Sequence, residues 1–180
     1  MSKLSSQRVY DGRVINVDID TVRFPNGSVG QLEIVRHPGA SAVVPFLSDP
    51  TADDPQILLI KQYRHAAGDF IYEIPAGKLD GAEDPRDCAR RELKEETGCD
   101  AAQIEHLYTF YTTPGFTDEK IHAFIATGLT QGEVAHEQDE FMSLETVTLS
   151  HALELIRSGE LMDAKTALAI LYAAGFRLAK

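Results

Sequence analysis

Long apolar runs are missing from this chain of 180 residues. No stretch approaches the ~18 consecutive apolar residues of a membrane-spanning helix, so no membrane partner is expected. The opening segment MSKLSSQRVYDGR has no apolar signal core, and secretion is not expected. Cysteine is scarce. Cys88 and Cys99 are the only two, too few for a disulfide framework or a zinc cluster, which fits a reducing cytoplasm. Basic charge is in the minority, with 17 Lys and Arg against 28 Asp and Glu and a net charge of −11. An acidic chain without a basic run is a poor grip for a nucleic-acid backbone. An anionic substrate would need local screening, by bound cations and a few well-placed arginines. Internal repeats and low-complexity segments are also absent. The remainder is ordinary for a globular protein, with 43% hydrophobic and 25% charged residues. The length suits one compact domain of roughly 150 residues plus a small extension.

From Val9 to Val35 the chain reads as strands. Val14, Val17, Ile19, Val22 and Phe24 are interleaved with polar residues, and Pro25-Asn26-Gly27 turns the chain into Gly30–Val35. This predicts an N-terminal β-hairpin extension over residues 1–38 and a main domain over residues 39–180. Ala40–Leu47, Gln56–Tyr63 and Phe70–Ile74 read as further strands. Ile57, Leu58, Leu59 and Ile60 are continuous, which predicts burial on both faces. A helix is expected from Pro85, with Asp84 as its N-cap and Gly98 as its stop. Strands at Ile104–Thr112, Ile121–Thr127 and Phe141–Val147 follow, then helices over Ser150–Ser158 and Ala164–Ala174, with Leu153, Ile156, Leu168 and Leu171 at helical spacing.

The stretch from Gly77 to Cys99, GKLDGAEDPRDCARRELKEETGC, carries most of the functional information. On the expected helix Ala89 and Leu93 form an apolar pair four residues apart. Glu92 and Glu96 form a second such pair only about 60° away around the axis, and Glu95 flanks it. The acids therefore sit beside the apolar stripe and not opposite it. Like charges at this spacing repel by a few tenths of a kcal/mol even when exposed, and partial burial raises the cost. A hard divalent cation would neutralise them. The plainer alternative is a solvated helix face with Arg91–Glu95 and Arg90–Lys94 pairs.

A resemblance to a known signature favours the first alternative. Gly77, five residues, Glu83, seven residues, Arg91-Glu92, Leu93, one residue, Glu95-Glu96, one residue, Gly98 and a final small hydrophobe, Cys99, resembles in full the signature of the Nudix hydrolases. That resemblance implies an α/β fold, a mixed β-sheet sandwiched between helices, with the signature forming a loop–helix–loop. It implies hydrolysis of a nucleoside diphosphate linked to another moiety. It also implies metal ligation by Glu92, Glu96, Glu95 and the backbone carbonyl of Ala76, and an orienting role for Arg91 next to the reacting groups. Carboxylate-only ligands select Mg²⁺, or Mn²⁺, over zinc, and the resemblance implies two or more such ions per site.

Three features resemble the ADP-ribose pyrophosphatase subgroup: Pro114 sixteen residues after Gly98, the run KQYRHAAGDFIYEIPAGKLD from Lys61 to Asp80, and the N-terminal extension. The resemblance implies that ADP-ribose is split to AMP and ribose 5-phosphate in a homodimer. Arg36, Arg64 and Lys78 would meet the substrate, with Arg64 on the diphosphate. Thr113, Pro114, Gly115 and Glu119 would line the terminal-ribose side. The general base is assigned to Glu137 or Glu140 of the acidic loop, with Glu95 as rival. The first alternative is a Nudix pyrophosphatase acting on another nucleotide sugar or a dinucleotide. The second is a non-catalytic ADP-ribose-binding module, which would be expected to lack signature acids that this chain keeps.

Overall fold

The computed structural model describes residues 1–132 and 142–177. Three antiparallel strands, β1 (Ser2–Asp11), β2 (Asn16–Arg23) and β3 (Val29–Arg36), open the chain in the order β1-β2-β3. The β2–β3 pair is the expected hairpin, with Arg23 opposite Val29 and Asn16 opposite Arg36. Gly27 makes the turn at a φ of 86°, in the left-handed region where a Cβ is disfavoured. The first strand starts at Ser2, ahead of the strand-like stretch read from Val9. All of its residues are exposed, so no apolar alternation marks it, and pairing along β2 is what makes it a strand. Alternation along β2 puts two buried acids, Asp18 and Asp20, on one face. Arg36 donates to both and to Asp118. Residues Met1–Gly39 together with Phe110–Ile121 form one compact unit.

The other unit runs over Ala40–Thr109 and from His122 onward. Its strands are β4 (Ala40–Pro45), β5 (Gln56–Arg64), β6 (Asp69–Glu73), β7 (Ala76–Lys78), β8 (Cys99–Tyr111), β9 (Lys120–Gln131) and β10 (Met142–Thr148), where β8 and β9 run on into the first unit at one end. They form two sheets, ordered β10-β5-β6 and β7-β4-β9-β8. Ile57–Ile60 are buried, as their unbroken apolar run requires. Three helices follow the expected positions: α1 (Pro85–Thr97), α2 (Leu149–Ser158) and α3 (Ala164–Tyr172), the last running into a π-helical segment, Ala173–Arg177. Both α1 and α3 pack on β4, which is buried from Ser41 to Pro45. The result is the sheet-between-helices α/β arrangement that the sequence implied.

Helix α1 obeys its local signals. The Asp84 carboxylate accepts from the Arg86 N–H at 2.8 Å, Pro85 occupies the first turn, and Gly98 ends the helix at a φ of 73° with its N–H on the Lys94 carbonyl. Such an N-cap contributes about 1 kcal/mol. Cys88, Ala89 and Leu93 are buried, and Ala89 and Leu93 pack with Val43, Leu58, Ala101, Ile104 and Phe124. The C-terminal helices bury a different stripe from the one that Leu153, Ile156, Leu168 and Leu171 outline. Leu149, Ala152 and Leu155 face inward on α2, and Thr166, Ala169 and Ile170 on α3. Leu168 and Leu171 stay 41% and 46% exposed. On α3 the inward Thr166 hydroxyl accepts from the buried Ile74 N–H at 2.9 Å, which holds that face against the strand layer. Among the described residues no helix is long and apolar enough to cross a membrane.

Candidate active site

The site is built where the short strand β7 meets α1. Strand β7 is held on β4, with Ala42 opposite Ala76 and Ser41 opposite Gly77. The Ser41 hydroxyl donates to the Pro85 carbonyl at 2.7 Å, which fixes the start of α1 beside the same strand. From that helix two glutamates reach β7. Glu96 is buried, and its Oε2 accepts from the Ala76 N–H at 3.0 Å. The Glu92 carboxylate lies over Gly77, so closely that a Cβ there would stand 1.9 Å from its Oε1. The glycine is the opening through which Glu92 reaches the backbone of β7.

Arg91 gathers the remaining acids. Its Nη1 donates to Glu92 at 2.5 Å and to Glu95 at 3.0 Å, while Nε and Nη2 grip Glu83, each at 3.0 Å. Nη2 also donates to the Lys78 carbonyl at 3.3 Å. One guanidinium therefore touches three of the four signature glutamates and the strand below them. Glu83 in turn accepts from the Asp80 N–H at 3.2 Å, which braces the loop ahead of α1. The hydrogen bonds from Arg91 hold the Glu83 carboxyl down at about 2, against the opposing effect of desolvation. That interaction is complete above the usual glutamate range and is lost only as pH falls through about 2. Burial pushes the Cys88 thiol up to about 11. It stays protonated at neutral pH, which makes it a packing group and not a nucleophile.

Among the described residues no three of His, Cys, Asp and Glu converge as a ready cation site. The donor chemistry is still that of a hard divalent ion. Glu92 and Glu96, both turned toward Ala76–Gly77, and the half-exposed Glu95 offer oxygen alone. The cradle over Gly77, which a Cβ would fill, keeps the Glu92 oxygens at the strand.

Arg64, at the end of β5, is bound to Glu73, at the end of β6, by two hydrogen bonds of 2.5 and 3.0 Å. Lys165 of α3 pairs with the same carboxylate. Lys78 is exposed and pairs with Asp80 at 3.1 Å. Glu73 and Lys165 went unnoticed in the sequence. The signal was there for Glu73, an acid inside the otherwise apolar run Phe70–Ile74. None marked Lys165, ninety-two residues away.

Within the first unit, Thr113 and Glu119 line a recess of about 360 Å³ together with Val35, His37, Thr112 and Phe116. Glu119 accepts from the Thr112 hydroxyl at 2.8 Å, and its other oxygen lies 3.3 Å from His37 Nδ1. Pro114 and Gly115 form the exposed turn next to it. Arg36 is committed to Asp18, Asp20 and Asp118. Glu137 and Glu140 lie outside the described residues.

Comparison with known proteins places these residues in a wider setting. The NUDIX domain model matches residues 36–166. The chain is 43% identical over 171 residues to an ADP-ribose pyrophosphatase of Bacillus subtilis (strain 168), covering 94% of this chain and 90% of the relative. The same identity and coverage relate it to the methanol dehydrogenase activator of Bacillus methanolicus. An ADP-ribose pyrophosphatase of Mycobacterium tuberculosis is 34% identical over 163 residues, 89% of this chain and 76% of the relative. Among solved structures, a crystal structure of an ADP compounds hydrolase superposes with a TM-score of 0.81, covering 96% of this chain and 91% of that one, at 22% identity. At that identity the likeness is one of fold.

Proposed function

Since the chain belongs to the Nudix family and is a Nudix pyrophosphatase, we propose that it hydrolyses the diphosphate of ADP-ribose to AMP and ribose 5-phosphate with the help of divalent cations. The observation that carries this reading is the meeting of Glu92 and Glu96 on the Ala76–Gly77 backbone, with Arg91 binding the acids around it. Two relatives named ADP-ribose pyrophosphatase, similar over most of the chain, support the substrate.

Glu92, Glu96, Glu95 and the Ala76 carbonyl are the groups that would hold Mg²⁺ or Mn²⁺, in two or more ions. A cation bound there would lower the pKa of a water and offset charge on the diphosphate. Arg91 keeps the ligand side chains in place before substrate arrives, as hydrogen-bonded partners of metal ligands do. Arg64 supplies a guanidinium for the phosphate oxygens. In the first unit, Glu119 and Thr113 offer hydrogen bonds to ribose hydroxyls beside the Pro114-Gly115 turn. The base that takes the proton of the attacking water is assigned to Glu137, Glu140 or Glu95.

The test is a substrate panel with Mg²⁺, covering ADP-ribose, other nucleotide sugars and dinucleotides, scored by kcat/KM. ADP-ribose is expected to lead the panel and to release AMP, with activity lost on chelation and restored by Mg²⁺. A different leading substrate would favour the second reading, a Nudix pyrophosphatase for another nucleotide sugar or dinucleotide. A relative of another name at equal identity, and GDP-mannose pyrophosphatases at 37% identity over 128 residues, are the reason to include it. ADP-ribose bound but not cleaved would favour a binding module.

The same reading places the enzyme in the cytoplasm as a homodimer. Support comes from β1, an edge strand of its sheet, exposed along its length and carrying Leu4, Val9 and Tyr10 in the open. Light scattering is expected to give the mass of two chains. A single-chain mass at micromolar concentration would exclude the dimer.

A further inference from the structure

The Arg64–Glu73–Lys165 group has a geometry that a plain structural salt bridge does not need. Glu73 is 3% exposed, and a buried ion pair is a poor stabiliser because desolvating its charges offsets their attraction. Here the carboxylate binds Arg64 in a fork, through Nε and Nη2. That takes up one edge of the planar guanidinium. Nη1 donates to none of the described residues, and 42% of the Arg64 side chain is exposed. The free edge of the fork, with the hydrogen-bond geometry that matches two phosphate oxygens, therefore points away from Glu73. Its direction is set by the buried carboxylate and not by the flexible arginine stem.

The carboxylate is itself fixed from the other side. Lys165 Nζ pairs with Glu73 and with Asp163 at 3.0 Å, and Asp163 caps α3 through the Thr166 N–H. Four charges of alternating sign thus link β5, β6 and α3. Glu73 stands three residues before Ala76, and the field of Glu96 reaches Arg64. The fork is thereby tied to the strand that carries the acidic site.

We propose that Glu73, backed by Lys165, is a positioning residue that aims the free edge of Arg64 at the substrate diphosphate. This rests on the reading of Arg64 as a diphosphate ligand. Glu73→Gln keeps the length of the side chain and removes the charge that holds the fork. An arginine that binds substrate and transition state alike affects KM more than kcat. Glu73→Gln is therefore expected to raise KM for ADP-ribose, measured with Mg²⁺, by about 10-fold while kcat stays within about threefold.

The second measurement is a double-mutant cycle. Arg64→Ala alone is expected to raise KM by at least as much as Glu73→Gln, and adding Glu73→Gln to it should change KM by less than about twofold. A purely structural Glu73 would add its own effect in both backgrounds, and that result would overturn the inference. So would an unchanged KM in Glu73→Gln beside a raised KM in Arg64→Ala, which leaves the Arg64 reading intact. An unchanged KM in Arg64→Ala would instead remove the Arg64 reading and the inference with it. If Glu73→Gln does not fold, Glu73→Asp carries the same cycle, since it keeps the charge and withdraws the carboxylate by one methylene. A normal KM in folded Glu73→Asp then overturns the proposal.

Discussion

Glu96→Gln and Glu92→Gln are each expected to lower kcat for ADP-ribose by about three orders of magnitude, ~4 kcal/mol of transition-state stabilisation. The fold should survive both changes. In Glu96→Gln the amide oxygen can still accept from the Ala76 N–H, the contact that seats this side chain at 3.0 Å. In Glu92→Gln the guanidinium of Arg91 keeps Glu83 and Glu95 as partners. What both variants lose is negative charge on an oxygen at β7, which is what a hard cation requires. Measuring kcat across a Mg²⁺ titration, next to thermal unfolding of the same samples, separates the two effects. Near-wild-type turnover in both variants, with unfolding unchanged, would remove Glu92 and Glu96 from the metal assignment.

Gly77→Ala is expected to lower kcat/KM by about 100-fold with a stability change of about 1 kcal/mol or less. The new methyl would fall 1.9 Å from Glu92 Oε1 and 2.1 Å from Cδ, so the carboxylate must leave. It can leave at small cost to the fold, because the clash is with the far end of a flexible side chain and the backbone does not have to move. Loss of activity without loss of stability is therefore the signature of this variant. A normal kcat/KM would mean that Glu92 serves the reaction from some other position. A large drop in melting temperature would mean that β7 cannot accept a side chain at all.

Some of these features were legible in the sequence because they are local. The start of α1 at Pro85, its Asp84 cap and its Gly98 stop depend on groups within four residues of each other. The placement of Glu92 and Glu96 beside the Ala89–Leu93 stripe follows from helical geometry alone. The buried strand Ile57–Ile60 announced itself by its unbroken apolar run. Other features left no local trace. Strand β1 is exposed at every residue and exists through its pairing with β2. The inward stripe of α3 includes Thr166, whose Oγ1 accepts a hydrogen bond from the Ile74 N–H ninety-two residues away in sequence, and Leu168 and Leu171 are left outside.

By itself the sequence determined the chemistry class of this protein. Fixed spacing on a single helix decides which carboxylates share a face, and that spacing is written in 23 consecutive residues, Gly77 to Cys99. The tertiary structure decided what each acid touches. It laid Glu92 over Gly77, put the Ala76 N–H on Glu96, wrapped Arg91 around Glu83, Glu92 and Glu95, and joined Arg64 to Lys165 through Glu73. The physical reason is range. Helix registry and caps act over a few residues, whereas buried charges must find partners wherever packing brings them, across strands and helices that the chain visits far apart.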